Sequence, residues 1–227
     1  MPSNDTRELH GIRPAPLRAV IFDLGGVFLE GTLENVIKFG ETIGLTAEIW
    51  QALRLELFVN GGPWENLERG EMTLDAFAEI LREKVAGLGV SLTLEQARNF
   101  MGSPGEQDRM RLREEIVSAC RKVKARLPTA LLTNNVREWR AGWRSRLDVP
   151  ALFDVVVDSS EVGMRKPEER IYRYTEEQLN LGGEHLLFID DIGVNLKAAR
   201  QRGWQTLKYD ETAIVVEVLE AVAEHRA

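Results

Sequence analysis

The chain has 227 residues, 44% of them hydrophobic, and a formal net charge of −7, which suits one mid-sized domain or a core with a smaller lobe. With Lys and Arg scattered along helical stretches, the acidic balance excludes a global basic footprint and nucleic acid as principal partner. The single cysteine, Cys120, excludes an internal disulfide framework and fits a reducing compartment. No apolar stretch approaches the length needed to cross a bilayer, and the first eighteen residues hold charge and prolines but no hydrophobic block like that of a signal peptide, so no membrane partner and a cytoplasmic location are expected.

In chain order, residues 1–16 are polar, hold three prolines and lack periodicity, as expected of a loose tail. Residues 19–22 form a continuous apolar run, read as a strand covered on both faces, which Asp23 ends and Gly25-Gly26 breaks. Residues 33–113 differ, being rich in Glu, Leu and Arg with 3.6-residue spacing, as in Phe77, Ile80, Leu81 and Val85. This predicts a helical insertion. Within it Gly61-Gly62-Pro63 marks a turn, and Thr93 with Gln96 has capping-box spacing before a helix carrying Ala97, Phe100 and Met101. An amphipathic helix through Ile116, Cys120 and Val123 leads back to the core and ends by Pro128, with Cys120 read as packing.

Strand and helix then alternate: strands at 129–133, 155–158, 186–190 and 206–209, with helices to about 147, over about 168–179 and from Asn195, whose side chain suits a helix cap. With the first strand this makes five short parallel strands. The predicted fold is an α/β, doubly wound Rossmann-like sheet. Its catalytic core spans 17–32 and 114–227, with a helical cap inserted over 33–113.

Four short segments carry chemistry: AVIFDLGG at 19–26, ALLTNN at 130–135, VGMRKP at 162–167 and LLFIDD at 186–191. In a parallel sheet the C-terminal strand ends meet at one edge, so residues far apart in sequence can share a site. Asp23 ends a strand before two glycines, where a carboxylate can attack phosphorus and backbone amides can approach a phosphate. Thr133 and Asn134 close another strand, where a hydroxyl and amides can hold phosphoryl oxygens. Lys166 precedes a proline that keeps it out of helical geometry, and its ammonium suits transition-state charge. Asp190 and Asp191 are adjacent carboxylates at a buried edge, an arrangement that needs compensation by a cation or hydrogen-bond donors; Mg²⁺, which prefers oxygen ligands, is the natural one.

With these four segments in this order, the chain resembles the haloacid dehalogenase superfamily, in a phosphatase-like branch with a helical cap. GGP at 61–63, RGEMT at 69–73, VGMRKPEERIY at 162–172 and FIDDIGVNLKAAR at 188–200 are further similar to the phosphatase domains at the N-terminus of bifunctional soluble epoxide hydrolases. The resemblance implies that Asp23 is the nucleophile, that Thr133 and Asn134 bind the phosphoryl group and that Lys166 steadies it. It also implies Mg²⁺ held by Asp23, the Gly25 carbonyl and Asp190, with Asp191 acting through water or by positioning neighbours. Many such phosphatases carry a second Asp two residues after the nucleophile, where this chain has Gly25. Loss of a positioned acid/base slows chemistry by roughly 10²–10⁴-fold, and substrates with good leaving groups, such as anomeric sugar phosphates, depend on it least.

The expected activity is therefore Mg²⁺-dependent hydrolysis of a small phosphomonoester through an aspartyl-phosphate at Asp23, by a monomer or homodimer. A 2-haloacid dehalogenase, or a non-catalytic phosphate-binding relative, is the alternative. Nucleophile elbows, P-loops and dinucleotide fingerprints are absent from the sequence. His10, His185 and His225 lack ligand spacing. Trp139 and Trp143, four apart, suit packing of the helix after Thr133, and Trp64 suits packing of the cap.

Overall fold

The computed structural model describes residues 8–14, 16–30, 40–59, 61–99 and 111–225. Five parallel strands, β1 (Ala19–Phe22), β2 (Thr129–Thr133), β3 (Val155–Asp158), β4 (Leu186–Asp190) and β5 (Gln205–Lys208), form one sheet in the order β3-β2-β1-β4-β5. Side chains alternate between the faces of a strand, and a parallel sheet is covered on both. Val20, Phe22, Leu131, Leu187 and Ile189 therefore join one buried cluster. Ala19, Ile21, Ala130, Leu132, Leu186 and Phe188 join another. The first cluster is closed by Ile116, Cys120 and Val123 of Glu114–Lys124 and by Val215, Val218 and Leu219 of Thr212–Glu224. The second is closed by Ile171 and Tyr172 of Glu169–Leu179 and by Leu196 and Ala199 of Gly193–Gln201. Cys120 is packing, as its place in the apolar stripe implied: its Sγ donates to the Leu152 carbonyl, and burial pushes the thiol up to about 12.

Between β1 and Glu114–Lys124 lie the helices Ala47–Leu57, Pro63–Glu68, Leu74–Gly87 and Leu94–Asn99. Their stripes build a separate core of Leu53, Leu57, Leu67, Phe77, Leu81 and Val85, which Val136 joins from the loop after β2. Local sequence sets the starts of these helices. Thr46 and Thr73 accept from the backbone three residues on, Pro63 occupies a first-turn position, and Thr93 and Gln96 exchange reciprocal bonds of 2.8 and 3.1 Å. Phe100 and Met101, expected on the last of these helices, lie outside the described residues, as does 31–39.

Three expectations are corrected. Within the expected loose tail, residues 8–14 are ordered against the core: Leu9 and Ile12 form an antiparallel bridge, Ile12 is buried, and the Arg13 amide donates to Gln205 Oε1 at 2.8 Å. Two apolar side chains in a short hairpin find the core without any periodicity to announce them. The closing helix Thr212–Glu224 was not anticipated. Its β-branched IVVEV run carries no clear period, and packing against Glu114–Lys124 settles it as helix. The helix read as opening at Asn195 begins at Gly193 without a side-chain cap.

Candidate active site

The strand order reverses between β1 and β4, and a crevice outside the carboxyl ends of the strands is expected there. Asp23 follows β1 directly and Asp190 ends β4, its neighbour in register (Phe22 opposite Ile189), so two carboxylates face one edge. Both are buried. Lys166, itself 1% exposed, reaches between them, with Nζ 2.8 Å from Asp23 Oδ1 and 2.8 Å from Asp190 Oδ2. Burial alone would lower this lysine, but the Asp190 and Asp23 charges outweigh it and hold the ammonium above its ordinary value.

Burial pushes the Asp23 carboxyl up to about 7; the nearby Lys166 charge offsets only part of this, and the Asp190 charge adds to it. Asp23 Oδ1 also accepts the Leu24 amide at 2.7 Å. Asp190 is more fully satisfied, taking the Ile192 amide at 2.6 Å and both bonds of the Asn195 amide at 3.0 and 3.2 Å. Asn195 thus orients a carboxylate and does not cap the helix. Its only sequence signal was an Asn in the first turn, which looks the same for either task.

Asp191 lies against the loop after β1, where a Cβ on Gly26 would collide with its carboxylate and φ of +76° suits glycine. Its Oδ1 is buried without a partner, and burial, then the Asp190 charge, hold its carboxyl above the usual range. One oxygen from each of Asp23, Asp190 and Asp191 lies within 4.8 Å of the others. An all-oxygen set of three carboxylates with one orphaned oxygen fits a hard divalent cation such as Mg²⁺.

Thr133 ends β2 beside β1, buried, and lines the same cavity as Asp23 and Lys166. Asn134 follows Thr133 and lines the same cavity, while its side-chain amide is engaged elsewhere. Oδ1 accepts the Lys166 amide at 2.8 Å, while Nδ2 donates to the Lys166 carbonyl at 2.9 Å and to Glu68 Oε2 at 3.3 Å. Lys166 is followed by Pro167 through a cis peptide bond, and the next helix starts at Glu169.

The cavity over these groups measures about 460 Å³. Phe58 and Trp64 from the cap and Trp139 and Trp143 from the segment after β2 line it, together with Glu68 and Arg165. Trp64 also packs against Phe58, Phe77 and Trp139, with ring centroids 5.3–6.0 Å apart, so it serves the cap core and the cavity wall together. Glu68 was not singled out in the sequence, where it reads as one more polar position on a short helix. His10 pairs with exposed Glu217, and His185 Nδ1 bonds the Pro16 carbonyl; neither lines the cavity.

The sequence pattern of the haloacid dehalogenase-like hydrolases matches residues 17–203. Among curated relatives, mouse acyl-CoA dehydrogenase family member 10 is 30% identical over 90% of this chain and 19% of its own length. Rat bifunctional epoxide hydrolase 2 is 27% identical over 91% and 39%. The chain thus spans a fifth to two fifths of those proteins. The D-ribitol-5-phosphate phosphatase of Bacteroides thetaiotaomicron is 22% identical over 87% of this chain and 94% of its own. A predicted HAD-like family hydrolase from Porphyromonas gingivalis shares the fold with TM-score 0.70, at 22% identity over 92% of this chain and 99% of that one. A HAD family enzyme from Bacteroides thetaiotaomicron, solved with magnesium and inorganic phosphate, shares it with TM-score 0.63, at 21% identity over 86% and 94%. The matched pattern covers most of the chain, the fold is shared over 92% of it, and the protein belongs to the haloacid dehalogenase-like hydrolases.

Proposed function

We propose that this hydrolase is a Mg²⁺-dependent phosphatase in which Asp23 attacks the phosphorus of a small phosphomonoester. The observation that carries the reading is the buried cluster in which Lys166 bridges Asp23 and Asp190 at 2.8 Å each, with Asp191 beside them, on the floor of a cavity. Three carboxylates and one ammonium leave a net negative site that a divalent cation and a phosphate complete. The phosphatase among the relatives and the magnesium and phosphate bound by a fold neighbour support the same reading.

Asp23 and Asp190, with the Gly25 carbonyl and Asp191 directly or through water, are the groups assigned to hold Mg²⁺, which when bound neutralises charge on the phosphoryl oxygens. An Asp23 oxygen forms a bond to phosphorus as the ester P–O bond breaks, giving an aspartyl-phosphate and an alkoxide. Gly25 offers no side-chain acid, so the leaving oxygen takes its proton from water. Water then attacks the acyl-phosphate phosphorus, releasing phosphate and restoring the carboxylate. Two of the three Lys166 N–H bonds are committed to the aspartates, leaving one for a phosphoryl oxygen. Thr133 and the backbone amides after it are assigned to the remaining oxygens.

Phe58, Trp64, Trp139 and Trp143 give the leaving group an aromatic wall that can stack on an apolar body or on the C–H face of a sugar, with Glu68 and Arg165 beside it. A dehalogenase reading lacks comparable support, since three clustered carboxylates would repel a carboxylate substrate. The test is hydrolysis of p-nitrophenyl phosphate and a phosphomonoester panel with and without Mg²⁺. Asp23→Asn is expected to abolish turnover and EDTA to do so reversibly; full activity in either case refutes the reading.

A further inference from the structure

The cap contributes one buried carboxylate to the cavity lining described here, Glu68, and its bonds lead to the catalytic lysine. Glu68 Oε2 accepts from Arg165 Nε at 2.5 Å and from Asn134 Nδ2 at 3.3 Å. The Asn134 amide in turn clamps both polar groups of the Lys166 backbone, at 2.8 and 2.9 Å. One cap side chain is therefore in contact with the residue before Lys166 and with the amide that fixes Lys166 itself.

Docking of the cap does not need this arrangement. Glu65 pairs with Arg165 Nη1 at 3.1 Å, Arg69 pairs with Glu168 at 2.8 Å, and Arg137 bonds the Gly70 carbonyl at 2.7 Å. Those contacts already tie cap to core with partly exposed groups. Glu68 is a costlier choice, because a carboxylate inside an aromatic-walled cavity must be fully paired to be tolerated. What it adds beyond docking is the bond to Asn134.

We propose that Glu68 is a positioning residue: through Asn134 and Arg165 it makes the alignment of the Lys166 ammonium depend on the cap being docked. This rests on the phosphatase reading above for its catalytic consequence, but not for its geometry. With the cap away from the core, Asn134 loses an acceptor on its free edge and Arg165 its shortest pairing, and the peptide that carries Lys166 gains freedom. Misplacement of a charged group by about 1 Å costs on the order of 10²-fold in rate, so loosened alignment lowers kcat more than it alters binding.

The experiment compares Glu68→Ala, Glu68→Gln, Glu65→Ala, Asn134→Ala and the Glu68→Ala/Asn134→Ala double variant. Two readouts are used: steady-state hydrolysis of p-nitrophenyl phosphate with Mg²⁺, and hydrogen exchange at the Lys166 amide followed by NMR. Glu68→Ala is expected to lower kcat by about 10–100-fold with KM within about 3-fold, and the conservative Glu68→Gln to restore most of it. Glu65→Ala, which removes the contacts to Arg165 Nη1, Arg69 and the Gly61 amide but leaves the Glu68 bonds to Arg165 Nε and Asn134 in place, is expected to stay within about 3-fold of wild type in kcat. Loss of Glu68 should cost clearly less once Asn134 is gone, with only the Arg165 link left to lose, the signature of residues acting in series. The Lys166 amide is expected to exchange at least about 10-fold faster in Glu68→Ala and at the wild-type rate in Glu65→Ala. Additive effects of Glu68 and Asn134, equal losses in Glu65→Ala, or unchanged exchange in Glu68→Ala overturn the proposal. If the wild type hydrolyses no phosphomonoester, the phosphatase reading fails, and the exchange rates still decide whether Glu68 holds Lys166.

Discussion

Asp23 shows how burial and charge compete at one residue. Burial raises its carboxyl to about 7, with Lys166 pulling against that shift and Asp190 reinforcing it. A group raised in this way keeps its proton until the pH passes its raised value, and a bound proton competes with a cation for the same oxygens. Magnesium affinity is therefore expected to be flat above about pH 7 and to weaken by about tenfold per pH unit below it, as titration calorimetry at pH 6 and pH 8 would read; equal affinity at both would contradict this. Asn195 acts one step further out. Its amide gives Asp190 two hydrogen bonds, and groups that orient metal-binding carboxylates typically account for about 10–100-fold in metal affinity. Asn195→Ala is expected to lose that much Mg²⁺ affinity, measured by the same calorimetry, with its melting temperature followed separately to report any folding cost.

At the scale of elements, the site depends on where the cap helix Pro63–Glu68 meets the segment 165–168, and the residue that permits the approach is Gly70. Its φ is +68°, and a Cβ there would stand 2.6 Å from the Ser160 carbonyl oxygen and 3.0 Å from the Arg137 guanidinium. Gly70→Ala must therefore adopt a left-handed conformation, costing about 1–2 kcal/mol, and also push the cap off the core. The expected outcome is a lower denaturant midpoint together with reduced kcat; wild-type values for both would show that the contact is dispensable. Much of the site was legible because its elements announce themselves locally: a continuous apolar run stopped by a polar residue marks Asp23, Thr133 and Asp190, and parallel pairing makes those stops neighbours. Glu68, Arg165 and Asn195 were not read as part of the site. Each lies on or beside a helix where charged and amide side chains are ordinary, and only docking of distant segments gives them partners. The Asn134 side chain has a second task that nothing in Thr-Asn announces, since its amide bonds the backbone of Lys166.

Among the described residues of the whole molecule, two apolar clusters lie on the faces of the sheet and a third lies inside the cap. Apart from Val136 and Trp139 packing into the cap core, the cap–core contacts named above are polar, Arg165 with Glu65 and Glu68, Asn134 with Glu68, Arg69 with Glu168 and Arg137 with Gly70, and the Leu74 amide adds one more by donating to Glu138. The more exposed pairs at this cap–core junction contribute little each. The cavity lies at that junction, with walls from both sides. A ligand that binds the carboxylate cluster beneath it binds only the folded, docked form, and so stabilises it by mass action. Mg²⁺ with inorganic phosphate, each at about 100 times its dissociation constant, should contribute about 2.7 kcal/mol per linked site. For a chain of this length that raises the melting temperature by about 5–10 °C. Scanning calorimetry with Mg²⁺ alone, phosphate alone and both together is expected to show the largest rise with both, since the cation and the anion neutralise each other in the site. In Asp23→Asn the Mg²⁺ increment should shrink, because one of the three carboxylates is gone. A melting temperature indifferent to Mg²⁺ and phosphate in the wild type would mean that the clustered carboxylates do not form a cation site.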